Sequence, residues 1–218
     1  MELCRVLLVD DAELICKPFI EGWQRLDPRF HITYFSRCSH VPRDARQEKF
    51  DVILLDFKIP GEDGLQNMQM MMRLSAPIIV LSQLEVEEVA AVIRYCRDKK
   101  MVKGWIPKDY EHIEQLIGEI QRVLKGRNSW PDLPVLPSLT TREMEILLLA
   151  IEGDKKKILA EQLGLGTTTV TSHLEALRDK FCVDSHAKLI VEARKLGYQY
   201  LKPVVLHSNP IALPEGQA

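Results

Sequence analysis

The sequence predicts a doubly wound α/β domain followed by a small all-α domain. Three observations carry this. Between residues 1 and 126, short continuous Val, Ile and Leu runs alternate with helical patterns, as strands of a parallel sheet buried on both faces do. Residues 127–138, RNSWPDLPVLPS, hold three prolines and break both periodicities, which marks a linker. From Leu139 to Tyr200 the pattern is helical throughout, with no strand-like run.

Five strands are expected at Arg5–Val9, Ile32–Phe35, Val52–Leu55, Ile78–Leu81 and Gly104–Ile106. Leu14–Leu26, Val86–Arg97 and Ile113–Leu124 carry apolar residues at amphipathic-helix spacing. Arg37–Glu48 is polar, so its helix is expected to be weak or short. Five strands and five helices fit a segment of this length. Trp130, Leu133, Val135 and Leu136 suit the linker to docking on a domain surface. The second domain offers four candidate helices. Residues 201–218, with Pro203, Pro210 and Pro214, predict an irregular tail. The organisation expected is therefore a domain at 1–126, a linker at 127–138, a helical domain at 139–200 and a tail at 201–218. No internal repeat is visible.

Composition excludes several classes. Of the 218 residues, 46% are hydrophobic and 28% charged, which argues against a disordered or fibrous chain. No apolar run exceeds Ile146–Ile151, far short of the about 20 residues a membrane helix needs. The opening MELCRVLLVDD has no basic stretch before its apolar run and no small-residue cleavage site, so it does not read as a signal peptide. A cytoplasmic protein without membrane contact is expected. Cysteines 4, 16, 38, 96 and 182 are odd in number and form no Cys-x-x-Cys pair. They read as reduced thiols, mostly buried, rather than as a metal or disulfide framework. Net charge is −2 overall, −2 over residues 1–126 and zero over 139–218. Neither half attracts nucleic acid by bulk charge.

The chemistry lies at the strand ends. Ligands of an open parallel sheet bind beyond the carboxyl ends of its strands. Asp10 and Asp11 follow the first expected strand, Asp56 the third, Ser82 the fourth, and Lys108 lies just past the fifth. Three converging carboxylates repel unless a cation sits among them, and a hard ion such as Mg²⁺ suits oxygen ligands. One carboxylate can then attack phosphorus and become an aspartyl phosphate, with metal and ammonium countering the charge of the transferring group. A Ser82 hydroxyl bonded to the new phosphate would pull its loop inward, a local event with a remote readout.

The segments VLLVDDAE, ILLDFKIPGEDG, IIVLSQ and KGWIPKD resemble the receiver domain of bacterial two-component response regulators, which has a flavodoxin-like fold. The resemblance covers residues 1 to about 126. It implies Asp10 and Asp11 as metal-binding acids, Asp56 as phosphoacceptor and the Lys58 backbone carbonyl as a further metal ligand. It further implies Ser82 and Trp105 as switch residues and Lys108 as the receiver lysine, with Pro60 and Gly64 in the turn after the acceptor. Gln83 stands where a small residue is usual, Lys58 puts a long cation two residues past the acceptor, and the switch aromatic is Trp rather than Tyr or Phe. These departures would narrow access for hydrolytic water or alter the choice of partner; the first predicts a slow loss of the phosphoryl group.

LTTREMEILLLAIEG, KKKILAEQLGLG, TTTVTSHLEALRDKF and SHAKLIVEARKLGY look like the LuxR-type helix-turn-helix of the NarL/FixJ response regulators. The resemblance implies a scaffold helix at 157–165 and a recognition helix at about 167–180, with Gly166 at the N-cap usually held by Ser. Independently of the family, Val170, Leu174, Leu177 and Phe181 form an i, i+4, i+7, i+11 stripe for burial. Thr168, Thr171, Ser172 and Glu175 then face a major groove. Lys155, Lys156 and Lys157, with Arg178 and Lys180, are candidate phosphate contacts. The family commonly carries Lys at position 171 and often a basic residue near 175, so DNA binding is expected to be weak for a monomer. His173 is expected to be positional.

The resulting reading is a non-enzymatic regulator. A histidine kinase or other phosphodonor phosphorylates Asp56, the switch either frees the second domain or pairs two receivers, and the homodimer binds promoter DNA to control transcription. Three alternatives remain at this stage. In the first the helical domain works through protein contacts, in the second DNA binding is independent of phosphorylation, and in the third the acidic pocket serves a phosphohydrolase. The last needs a second acid as general acid–base and usually a cap domain, neither of which the sequence shows.

Overall fold

The computed structural model describes residues 3–42, 45, 48–108 and 113–201. The tail expected beyond residue 201 and part of the polar Arg37–Glu48 stretch lie outside the described residues. The described residues of Met1–Glu85 and Tyr95–Asp132 form one compact unit, and those of Val86–Arg94 and Leu133–Ala218 form a second.

The first unit is built on five strands: β1 (Cys4–Val9), β2 (Phe30–Phe35), β3 (Val52–Asp56), β4 (Ile78–Ser82) and β5 (Val102–Pro107). All pair in parallel, in the order β2-β1-β3-β4-β5. Every residue of β3 and β4 is buried, which explains why those strands read as unbroken apolar runs rather than as alternation. The register aligns Val9 with Leu55 and Asp56 with Leu81. The residues that follow β1 and end β3 therefore lie side by side at one edge.

The helices of this part of the chain are α1 (Glu13–Leu26), α2 (Gly64–Met72), α3 (Ala90–Arg97) and α4 (Ile113–Leu124). On one face of the sheet, Cys16, Phe19 and Trp23 of α1 and Leu116, Ile117, Ile120 and Val123 of α4 share a core with Val6, Leu8, Val52, Leu54, Ile79 and Leu81. Trp23 stacks tilted on Phe30 at 4.9 Å and meets Phe19 edge-on at 5.6 Å. On α2, Leu65, Met68 and Met71 are buried, and Asp63 caps the helix by accepting the Gln66 N–H. This helix has no explicit counterpart among the periodic stretches read from the sequence, because its NMQMMM run shows no clear stripe.

Two expected helices are shorter than their patterns. The stretch after β2 yields a 3₁₀ turn at Cys38–His40 that buries Cys38; Pro42, which has no backbone N–H to give, follows it closely. Val86–Arg97 opens as a 3₁₀ turn at Glu87–Val89 before continuing as α3.

The stretch 127–138 forms no helix. Ser129 makes an isolated parallel bridge to Gly104, donating to the Lys103 carbonyl and accepting from the Trp105 N–H. The first part of the expected linker thus lies along β5 as a rudimentary sixth strand. Trp130 docks as anticipated, with the Arg97 guanidinium 5.8 Å from its ring centre. Val135 does not, at 98% exposed.

The second unit holds α5 (Thr141–Ile151), α6 (Lys156–Leu163), α7 (Thr167–Lys180) and α8 (His186–Lys195). Thr140 and Glu143 close a capping box at the start of α5, a two-way satisfaction of otherwise unpaired N–H groups. Gly164 ends α6 in the left-handed conformation at φ 64°, where a side chain would cost energy. Val170, Leu174 and Leu177 of α7 are buried as their spacing predicts. Phe181 is only half-buried and packs edge-on against Tyr198 at 5.6 Å. Ser185 caps α8. The Arg94 guanidinium donates to the Leu136 and Pro137 carbonyls, and the Ala91 N–H to the Leu196 carbonyl.

Candidate functional site

The acids at the strand ends meet as the topology demands. Asp10 is 0% exposed and Asp56 3%, whereas Asp11 faces solvent. Oxygens of Asp10, Asp11 and Asp56 lie within 4.8 Å of one another. The Lys108 Nζ reaches Asp10 at 2.7 Å and Asp56 at 2.8 Å, all three side chains being almost wholly buried. The reach is possible because β5 ends at Pro107, alongside Ser82 of β4, and the Lys108 N–H donates to the Ser82 carbonyl.

Local hydrogen bonds hold the carboxylates still. The Ala12 N–H donates to Asp10 Oδ1 at 2.9 Å, and the Lys58 N–H donates to Asp56 Oδ1 at 3.1 Å. Both are turns in which an Asp side chain captures the backbone two residues on. Tyr34 donates its hydroxyl to the Asp10 carbonyl at 2.8 Å. Buried Ser82 accepts the Leu84 N–H at 3.1 Å.

Burial pushes the Asp56 carboxyl above its usual range, against the pull of Lys108. For Lys108, burial acts to lower the pKa, but the hydrogen bonds to Asp10 and Asp56 outweigh it and raise the ammonium above its ordinary value. Lys108 therefore carries its charge at neutral pH. Three carboxyl groups face one ammonium, and Asp10 and Asp56 among them are buried. That donor set, all hard oxygen, fits a divalent cation.

Trp105 is 3% exposed and packs on Phe57 with ring centres 4.8 Å apart. Phe57 follows the acceptor directly, so the two aromatics couple the pocket to β5. Gly64 is required below them, since a Cβ there would meet the Phe57 carbonyl at 2.3 Å. Glu62 accepts from the Cys38 and Ser39 N–H groups, the Ser39 hydroxyl and the Asn67 amide. It thereby ties the loop after β2 to the loop after β3. Of the three departures noted in the sequence, Lys58 and Gln83 are exposed and Trp105 is buried.

Tyr34, Phe57, Glu62 and Ser129 were not marked as site residues from the sequence. Phe57 was legible as the neighbour of the acceptor. Each of the other three has a partner 24 residues or more away in the chain, a relation without a local signal.

In the helical unit, Lys155 is the N-cap of α6, and Lys155, Lys156 and Lys157 are all exposed. Gly166 stands at the N-cap of α7, as the resemblance implied. Thr168, Ser172 and Glu175 are exposed, while Thr171, His173 and Arg178 are partly covered. Arg178 sits 3.9 Å from Glu175. Lys180, offered from the sequence as a further phosphate contact, is committed inward: it lies 2.6 Å from buried Glu143 and donates to the Ser138 carbonyl. Burial alone would raise the Glu143 pKa, but Lys180 and Thr140 hold the carboxyl below its usual range.

Residues 6–119 match the response regulator receiver domain family, and residues 137–193 match the bacterial regulatory proteins of the luxR family. The chain is a two-component response regulator of the LuxR type. The transcriptional regulatory protein LiaR of Bacillus subtilis is 28% identical over 213 residues, which cover 88% of this regulator and 98% of that protein. DesR of the same organism is 27% identical over 161 residues, 71% of this chain and 78% of DesR. Among solved structures, that of two RcsB dimers bound to two parallel DNAs aligns with a TM-score of 0.61 at 19% identity, covering 89% of this regulator and all of that chain. The structural likeness supports the two-domain fold.

Proposed function

We propose that Asp56 is the phosphoacceptor of this response regulator and that its phosphorylation controls binding of promoter DNA by a homodimer in the cytoplasm. The observation that supports this most directly is the buried Asp10–Lys108–Asp56 arrangement beside Asp11. A buried carboxylate held beside two further acids and an ammonium group is suited to receiving a phosphoryl group.

An Asp56 oxygen attacks the phosphorus of a phosphohistidine donor. The new O–P bond forms as the P–N bond breaks, and the imidazole leaves with the electron pair. Asp10, Asp11, Asp56 and the Lys58 carbonyl would hold Mg²⁺, which when bound supplies positive charge for the oxygens of the transferring group. Lys108 supplies a second, covalently anchored charge. The chain acts here as acceptor and switch rather than as a turnover enzyme.

Once phosphorylated, Asp56 offers new oxygens to the Ser82 hydroxyl. Movement of Ser82 carries the Lys108 N–H that bonds its carbonyl, and the Phe57–Trp105 stack lies alongside. In the second domain, α7 enters the major groove, with Lys155, Lys156 and Lys157 meeting backbone phosphate. The expected domain limits are 1–126 and 139–200, and a truncated first domain is best carried to residue 132, because Ser129 pairs with Gly104 of β5.

The test is capture of fragmented genomic DNA by the full chain, with and without beryllium fluoride and Mg²⁺. Specific fragments enriched only with the phosphoryl mimic bear out the proposal. Equal enrichment in both conditions shows DNA binding independent of phosphorylation. No enrichment in either shows a regulator that works through protein contacts.

A further inference from the structure

The exposed face of α7 is unusual in what its side chains have left to offer. Thr171 donates its hydroxyl proton to the Thr167 carbonyl at 3.0 Å, and Ser172 donates its own to the Thr168 carbonyl at 3.3 Å. A hydroxyl has one proton and two lone pairs. With the proton spent on the preceding helical turn, each presents only lone pairs outward. Glu175, one turn past Thr171, is a carboxylate with a 58% exposed side chain and accepts only. Its nearest cation, Arg178, stands at 3.9 Å, which balances charge without making a hydrogen bond. Three adjacent positions of the face therefore accept and do not donate.

The four bases differ in the major groove by what they donate. Cytosine shows its N4 amino group and adenine its N6 amino group beside N7. Guanine shows two acceptors, and thymine shows O4 and a methyl. Lone pairs facing guanine repel. We propose that this regulator reads its operator by acceptance: residues 171, 172 and 175 select the exocyclic amino groups of cytosine and adenine, with Glu175 specifying a cytosine. At a G·C pair the cytosine must lie on the strand that α7 meets, so the orientation of that pair is also selected. This rests on the DNA-binding reading above.

The same geometry assigns affinity elsewhere. These three positions add no phosphate neutralisation, so the salt-dependent part of binding falls to Lys155, Lys156, Lys157 and Arg178. Glu175 trades non-specific affinity for discrimination.

The experiment is selection of bound duplexes from a random pool by the full chain, loaded with beryllium fluoride and Mg²⁺. Wild type, Glu175→Ala, Glu175→Gln and the pair Thr171→Val with Ser172→Ala are compared, and thermal melting confirms that each variant is folded. The expected wild-type consensus has one cytosine per half-site whose discrimination falls about tenfold in Glu175→Ala. In Glu175→Gln the preference at that position moves to adenine, because a Gln amide both donates and accepts. The Thr171/Ser172 variant relaxes neighbouring positions and leaves the cytosine intact. Guanine at the position that Glu175→Ala relaxes, or one consensus shared by all four proteins, overturns the proposal. If wild type itself enriches nothing, the DNA-binding reading fails first and takes the proposal with it. That failure is visible before any variant is compared.

Discussion

The backbone N–H of Trp105 donates to the carbonyl of Ser129 at 2.9 Å, so the aromatic beside the acidic pocket is tied by its main chain to the segment leading out of the first domain. Three further contacts hold that segment. The Ser129 N–H donates to the Lys103 carbonyl, its hydroxyl bonds the Glu119 carboxylate, and Arg97 reaches the Pro131 carbonyl. A strand edge that would otherwise stand open is covered.

That closeness depends on Gly104. A Cβ at this position would meet the Ser129 carbonyl at 2.7 Å. Gly104→Ala is expected to push the segment off β5 and to cost about 1–3 kcal/mol, the range for forced overpacking. Hydrogen exchange is the check. The Trp105 and Ser129 amides should exchange faster in the variant, and the amides of β3 should not.

The three carboxyl groups of the pocket predict a metal-dependent stability. Mg²⁺ at a hundred times its dissociation constant should stabilise the chain by about 2.7 kcal/mol, read as a rise in melting temperature. Asp11→Ala should abolish most of that rise while barely changing stability without metal, because Asp11 faces solvent. Lys108→Ala should behave in the opposite way. It leaves Asp10 and Asp56 buried without their shared cation, costs about 3 kcal/mol without metal, and recovers part of that loss when Mg²⁺ is added.

Glu143 predicts a pH dependence of a definite sign. Lys180 and Thr140 hold its carboxyl below the ordinary glutamate range in the fold, so the unfolded chain binds the proton more readily. The stabilisation is fully present above about pH 4.5 and is lost as pH falls through the folded value. Glu143→Gln should therefore be less stable than wild type by about 2 kcal/mol at pH 7. The gap should narrow progressively below pH 4.5. Urea unfolding at a series of pH values measures it.

Lys58 and Gln83 bear on how long the phosphoryl group lasts. Both are exposed and flank the acceptor in sequence or across the pocket. Replacing both with Ala should open the approach for water and shorten the phosphoprotein half-life several-fold relative to wild type. Decay of radiolabelled phosphoprotein checks this, and an unchanged half-life would remove these side chains from the account.

Much of this architecture could be read before any coordinate. The strands declared themselves because a sheet buried on both faces needs continuous apolar runs, and all five lie within about two residues of their expected ends. The pocket acids declared themselves because β–α units place strand ends at one edge, whatever the details of packing. The α7 stripe followed from helical geometry alone. The α2 helix gave no such signal: its Gln and Met residues alternate without a stripe, and only contact with the sheet selects which of them are buried.

What depended on the assembled fold is of another kind. Nothing in RNSWPDLPVLPS indicates that Ser129 bonds β5 while Val135 stays in solvent. That choice was made by Gly104, a residue 25 positions earlier that leaves room for it. Nothing in the recognition helix shows that Lys180 is spent on Glu143, 37 residues away. Period and composition are local properties of a chain, so they report which face of an element is apolar and which residues end it. Partners distant in sequence meet only when the elements pack. A lysine is then committed inward or left for a phosphate according to which buried charge lies within its reach.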